Sequence, residues 1–217
     1  MPSHQSERSS SSSRDRLLGA AKRLFAAQGY EQSATSAIAR EAGTSESQLM
    51  RYFGGKVGLL EALFDEAWKH LNARAARVVD ASLTPRDAIL DGLQAVVTGL
   101  GRDRDLAMLF MFEGRRVRGE GSRVRLSRGF VHFAETIRTL VRQAQGNRTI
   151  DQNLDVNAVT WSILGATEAM IRERLVAKGG RAFAEREIRR TLEAMLDGFA
   201  GGGSRTPRRG RAKRSAR

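Results

Sequence analysis

The window from Thr35 to Lys56, TSAIAREAGTSESQLMRYFGGK, holds two short helical stretches broken at Gly43, with a lone Lys ahead of a long apolar-periodic run. Few folds accommodate that pattern. Thr35 is placed to cap a helix that runs to about Ala42 and buries Ile38 and Ala39, and Gly43 supplies the positive φ that a tight turn often demands. Ser45 and Gln48 form an S-x-x-Q capping box, which restarts the chain as a second helix after a turn of about three residues. The spacing fits a helix-turn-helix, whose second helix is offered to the major groove of DNA.

The second helix has a defined outward face. Leu49 and Phe53 lie four apart and face the core, which at 100° per residue turns Ser47 and Arg51 outward with Gln48 and Met50 beside them. Arg51 can donate bidentately to guanine, Gln48 can pair with adenine, and Glu46 can accept from cytosine. Thr35, Ser36 and Lys56 stand beside the N–H groups that open the second and fourth helices, where phosphates bind.

Composition narrows the alternatives. The chain has no cysteine and carries a net charge of +13, and seven of those positive charges fall within Gly201–Arg217, where there is no acid. The other 200 residues are therefore only mildly basic, at +6. Without cysteine there is no disulfide or thiolate metal site, which fits a reducing, cytoplasmic setting. No apolar run approaches the ~18 residues of a membrane span and the start is polar, so no membrane partner is expected. The chain has no G-x-S-x-G, G-x-x-x-x-G-K-[ST] or H-E-x-x-H motif, so neither catalysis nor a cofactor is expected.

Proline is scarce and apolar residues recur every three or four positions, which predicts an all-α chain of about nine helices. The first helix is expected from about Arg14 to Gln28, after a disordered Ser-rich start, and the fourth from about Lys56 to before Leu83. Thr84-Pro85 starts a fifth, with a break at Gly99–Gly101. A short helix around Leu106–Phe112, a Gly/Arg-rich connection over Gly114–Gly121 and a helix from about Ser122 to Gln145 follow. The last two are expected over about Asp155–Ala177 and Phe183–Phe199. The expected divisions are a Ser-rich arm over 1–10, a DNA-binding domain over 11–71 with the helix-turn-helix at 35–53, a helical domain over 72–200, and a disordered basic tail over 201–217.

At Thr35, Ile38, Ala39, Ala42, Gly43, Ser45, Leu49, Tyr52, Phe53, Lys56, Leu59 and Leu60 the chain resembles the TetR family of bacterial transcriptional repressors. That resemblance implies a three-helix DNA-binding domain followed by a helical regulatory and dimerisation domain. It places Glu46, Ser47, Gln48, Met50, Arg51 and Tyr52 at base-contacting and nearby phosphate positions, and Thr35, Ser36 and Lys56 at backbone contacts. Met50 departs from the usual Tyr, and Gly54-Gly55 replaces Pro-Ser or similar, which predicts a looser entry to the fourth helix.

The resemblance further implies a homodimer on a palindromic operator, released by an unidentified small-molecule effector. The faces Val156/Val159/Ile163/Met170/Ile171 and Ile188/Leu192/Met195/Leu196/Phe199 are the expected dimer surface. Met108, Met111, Phe112, His132, Phe133 and Trp161 are the expected effector contacts, among the middle helices. His132 and Glu135 are three apart, but one such pair does not make a metal site. The alternative is a protein that binds nucleic acid without sequence preference through its basic tail.

Overall fold

A computed structural model describes residues 12–113, 127–177 and 183–201. Among the described residues there are nine α-helices, one turn of π-helix and no strand. The helices are α1 (Ser13–Gln28), α2 (Thr35–Glu41), α3 (Glu46–Phe53), α4 (Lys56–Ala81), α5 (Pro85–Gly101), α6 (Arg104–Met108), α7 (Arg128–Gly146), α8 (Val156–Val176) and α9 (Glu185–Phe199). The π-helical turn, Leu109–Glu113, continues α6. The expected connection at 114–121, the start of a helix at Ser122, and residues 1–11 and 202–217 lie outside the described residues.

Local chemistry explains most boundaries. Ser12 accepts a hydrogen bond from the Asp15 N–H, so α1 begins inside the stretch expected to be disordered. Thr84 caps α5 ahead of Pro85, and Asp155 caps α8. The last helix begins at Glu185, two residues beyond the expected Phe183, because Glu187 reaches back to the Ala184 N–H. The expected break at Gly99 is absent, since α5 runs through to Gly101. At Gly99 an added Cβ would lie 2.5 Å from the Leu71 side chain, so this glycine lets α5 lie close on α4.

Two hydrophobic cores share α4. Leu17, Phe25, Ile38, Leu49, Leu59 and Phe64 belong to the amino-terminal core, with Leu109 reaching in from the π-helical turn. Trp68 and Leu71 open the larger core, which α5, α7, α8 and α9 complete. Leu106 and Phe110 pack against both cores, and Lys22 of α1 holds Asp103, the N-cap of α6, at 2.5 Å.

The apolar faces expected to form a dimer surface are turned inward instead. Val159, Ile163, Met170 and Ile171 of α8 and Ile188, Leu192 and Leu196 of α9 are buried in the larger core, with Val156, Met195 and Phe199 packed against it. The outward faces carry Ala158, Ser162, Gly165 and Ala169 on α8 and Thr191, Ala194 and Gly198 on α9. Periodicity identifies an apolar face but not the surface that it meets, so core and interface look alike in sequence.

Candidate nucleic-acid interface and effector cavity

Helix α3 is seated by one fully buried side chain, Leu49, with half-buried Phe53 beside it. Ser45 caps it by accepting from the Gln48 N–H at 3.2 Å. The reciprocal half of the expected capping box does not form, because the Gln48 side-chain oxygen accepts from the Thr44 hydroxyl at 3.0 Å. Bidentate pairing of Gln48 with an adenine therefore requires that bond to open.

With Leu49 inward, Glu46, Ser47, Met50, Arg51 and Tyr52 are all exposed along one side of α3. Met50 is 51% exposed, an unusual position for an unbranched apolar side chain with no partner. The Arg51 guanidinium lies over the Tyr52 ring, 5.2 Å from its centroid, which restrains a long, flexible donor. Ser36 is exposed on α2, and Arg40 stands one turn further along the same helix. Arg40 was missed by sequence reasoning, although its i+4 spacing from Ser36 places both on one face.

Two residues behave differently from expectation. Thr35 is the first residue of α2 and not its cap; the N-cap is Ala34, which offers no side-chain acceptor. The Thr35 hydroxyl donates instead to the Glu46 carboxylate, tying the start of α2 to the start of α3 and occupying part of Glu46's acceptor capacity. The Lys56 ammonium donates to the carbonyls of Tyr30 and Glu31 at 3.0 and 3.2 Å and lies 4.5 Å over the Tyr30 ring. Lys56 thus holds the α1–α2 connection against α4, in addition to standing near the interface. Burial, with Glu31 and Glu61 nearby, pushes the Tyr30 hydroxyl pKa above its ordinary value, so that it stays neutral.

The entry to α4 is tight, not loose. Gly54 has φ 69° and Gly55 has φ 125°, conformations that other residues reach only with strain. At Gly58 an added Cβ would lie 1.9 Å from the Phe53 carbonyl oxygen. The three glycines let the end of α3 press directly on the first turn of α4.

A cavity of about 470 Å³ lies among α4, α5, the π-helical turn, α7 and α8, within the ~300–1,000 Å³ usual for small-molecule sites. Phe64 and Trp68 come from α4, Leu93 and Val96 from α5, Phe110 and Met111 from the π-helical turn, and Phe130 and Phe133 from α7. Trp161, Leu164, Gly165, Thr167, Glu168 and Ile171 of α8, with Ser127, complete the described lining. Phe110 sits 5.2 Å from both the Phe64 and Trp68 rings, joining the cavity wall to the amino-terminal core.

Of the expected effector contacts, Met111, Phe133 and Trp161 line this cavity, whereas Met108, Phe112 and His132 do not. The wider π-helical turn resets the helical phase, so that Phe110 and Met111 face inward and Phe112 is left exposed. His132 precedes buried Phe133 on α7 and faces solvent. Glu135 pairs with Arg138 and Arg142. Sequence reasoning missed Glu168, a charged residue in a largely apolar helix, paired with Arg172 at 2.6 Å.

Residues 17–63 match the family model for bacterial regulatory proteins of the tetR family. A fatty acid metabolism regulator protein of Bacillus subtilis is 23% identical over 155 residues, covering 71% of this chain and 79% of that protein. The fold is similar to that of the B. subtilis transcriptional regulator FadR solved in complex with stearoyl-CoA, with TM-score 0.74, 19% identity and coverage of 88% and 99% of the two chains. It is also similar to AibR, solved in complex with isovaleryl coenzyme A and operator DNA, with TM-score 0.66, 18% identity and coverage of 88% and 97%.

Proposed function

From the premise that its amino-terminal domain belongs to the tetR family of bacterial regulatory proteins, we propose that the protein is a sequence-specific transcriptional regulator. The observation that carries this is α3: a capped helix anchored by Leu49, presenting Glu46, Ser47, Met50, Arg51 and Tyr52 together. Thr35, Ser36 and Arg40 stand beside it on α2 as phosphate contacts, and Lys56 supports the surface from behind. One such helix covers a few base pairs, so a second copy ~34–36 Å away completes the site on a palindromic operator.

The dimer forms through the outer faces of α8 and α9. Ala158, Ser162, Gly165, Ala169, Ala194 and Gly198 are small and uncharged, which lets helices of two copies approach closely. The effector enters the aromatic cavity, and its acyl class is suggested by the stearoyl-CoA and isovaleryl coenzyme A carried by the structural relatives. The protein acts as a repressor, with effector binding releasing the operator.

Selection of bound fragments from random DNA tests the central statement: an inverted repeat is expected, and recovery of no sequence preference would sink it. Arg51→Ala should cost about 1–3 kcal/mol on the selected operator and relax one base position. Lys56→Ala should weaken specific and random DNA alike and also lower the melting temperature, because it releases the Tyr30 and Glu31 carbonyls. Competition binding and thermal melts on both variants separate the roles.

A second reading has one observation behind it. Residues 12–71 hold eight basic and seven acidic side chains, too even a balance to supply strong attraction for phosphate. The basic tail supplies that attraction without sequence preference. Deleting 201–217 should therefore flatten the salt dependence of binding while leaving the selected sequence unchanged. Loss of the sequence preference itself would place recognition in the tail.

A further inference from the structure

The cavity wall is chemically one-sided. Among the described lining residues there is no Lys, Arg or His, and Glu168 is the single ionisable side chain. The Thr167 hydroxyl is spent within its own helix, donating to the Ile163 carbonyl at 2.8 Å, and Ser127 accepts from the Phe130 N–H at the start of α7. The Glu168 side chain is 26% exposed, and Arg172, its partner one turn further along α8, is not among the lining residues. A guest therefore meets aromatic and aliphatic surface and, at one point, a carboxylate whose counter-charge stands behind it.

We propose that Glu168 is the specificity-determining residue of this cavity: it admits acyl-type ligands whose group beside α8 is uncharged, such as an ester, thioester, amide or alcohol, and rejects free carboxylates. The proposal rests on the effector assignment above and deepens it. Burying an anion without a counter-charge is costly, and a second carboxylate nearby in a poorly hydrated wall adds repulsion. An uncharged group meets neither penalty, while its chain gains from leaving water. At roughly 30 Å³ for each water-sized group, the 470 Å³ volume holds a chain of about fifteen carbons.

The molecule carries its own reporter. It has two tryptophans, Trp68 and Trp161, and both line the cavity, so intrinsic fluorescence of the full chain reads occupancy directly. Decan-1-ol and decanoate, titrated at pH 8, share a chain length and differ in head-group charge. In the wild type the alcohol should bind more tightly than the anion. E168Q should lower the ratio of the two dissociation constants by about fivefold, chiefly by tightening decanoate, and R172Q should raise it, because the carboxylate loses its compensating charge.

A purely structural role would shift both probes together in each variant, and thermal melts confirm that each variant is folded. A ratio that stays constant, or moves the same way in both variants, overturns the role of Glu168 while the effector assignment stands. If neither probe perturbs the tryptophans of the wild type, the effector assignment falls and the selectivity falls with it.

Discussion

Gly58→Ala is expected to abolish specific DNA binding. The new Cβ would stand 1.9 Å from the Phe53 carbonyl oxygen, and a backbone atom cannot swing aside as a flexible side chain can. Either the last turn of α3 moves or the first turn of α4 does. Both shift Leu49, the one fully buried anchor of α3, and both disturb the left-handed Gly54 and the Gly55 conformation that precede α4. Forced overpacking of this kind costs about 3 kcal/mol or more, a large part of the stability of a domain this small. Operator affinity should fall by at least about a hundredfold, with a clear drop in melting temperature. An unchanged melt and unchanged binding would show that α3 and α4 can separate without consequence. Gly54, where an added Cβ meets nothing within 4 Å, makes the milder companion variant: it introduces strain from φ alone.

Ala194→Arg tests the assembly. Ala194 is exposed in the middle of α9, beside Thr191 and Gly198, so the substitution adds bulk and charge without touching the core. In the proposed dimer each new arginine meets its symmetry mate or the small face of α8, and burying unpaired like charges there is prohibitive. Light scattering should show a single protomer with an unchanged melt at low concentration. Operator affinity should drop by about a hundredfold to a thousandfold, because each half-site must then be held alone. A variant that remains a dimer and still binds its operator would move the interface elsewhere.

What was legible in the sequence was local. Thr84-Pro85, Ser45, Asp155 and Gly146-Asn147 act on residues three or four positions away, and each helix end they mark is where the spacing placed it. The residues on the exposed side of α3 follow from Leu49 and helical geometry alone. Gly99 was misread because a helix interior and a helix end both use glycine, and only the neighbouring Leu71 decides between them. The apolar stripes of α8 and α9 were readable as stripes, but not as core. Thr35 was taken for a cap because its partner, the Glu46 carboxylate, is eleven residues away. In the cavity, the extra residue of the π-helical turn exchanged Phe110 for Phe112, and Glu168 owes its importance to four other elements that surround it.

Helix α4 has 26 residues, which makes a rod about 39 Å long. Phe64 belongs to the amino-terminal core and also touches the cavity, and Trp68, one turn on, is in the other core. There is no joint between them at which a disturbance could be absorbed. A guest that displaces either ring pushes on a stiff lever whose far end carries the three-glycine junction with α3, so a swing of a few degrees becomes a displacement of an ångström or more. Two such levers set the pitch of a caliper, and DNA, with its fixed helical repeat, tolerates little error in the gap.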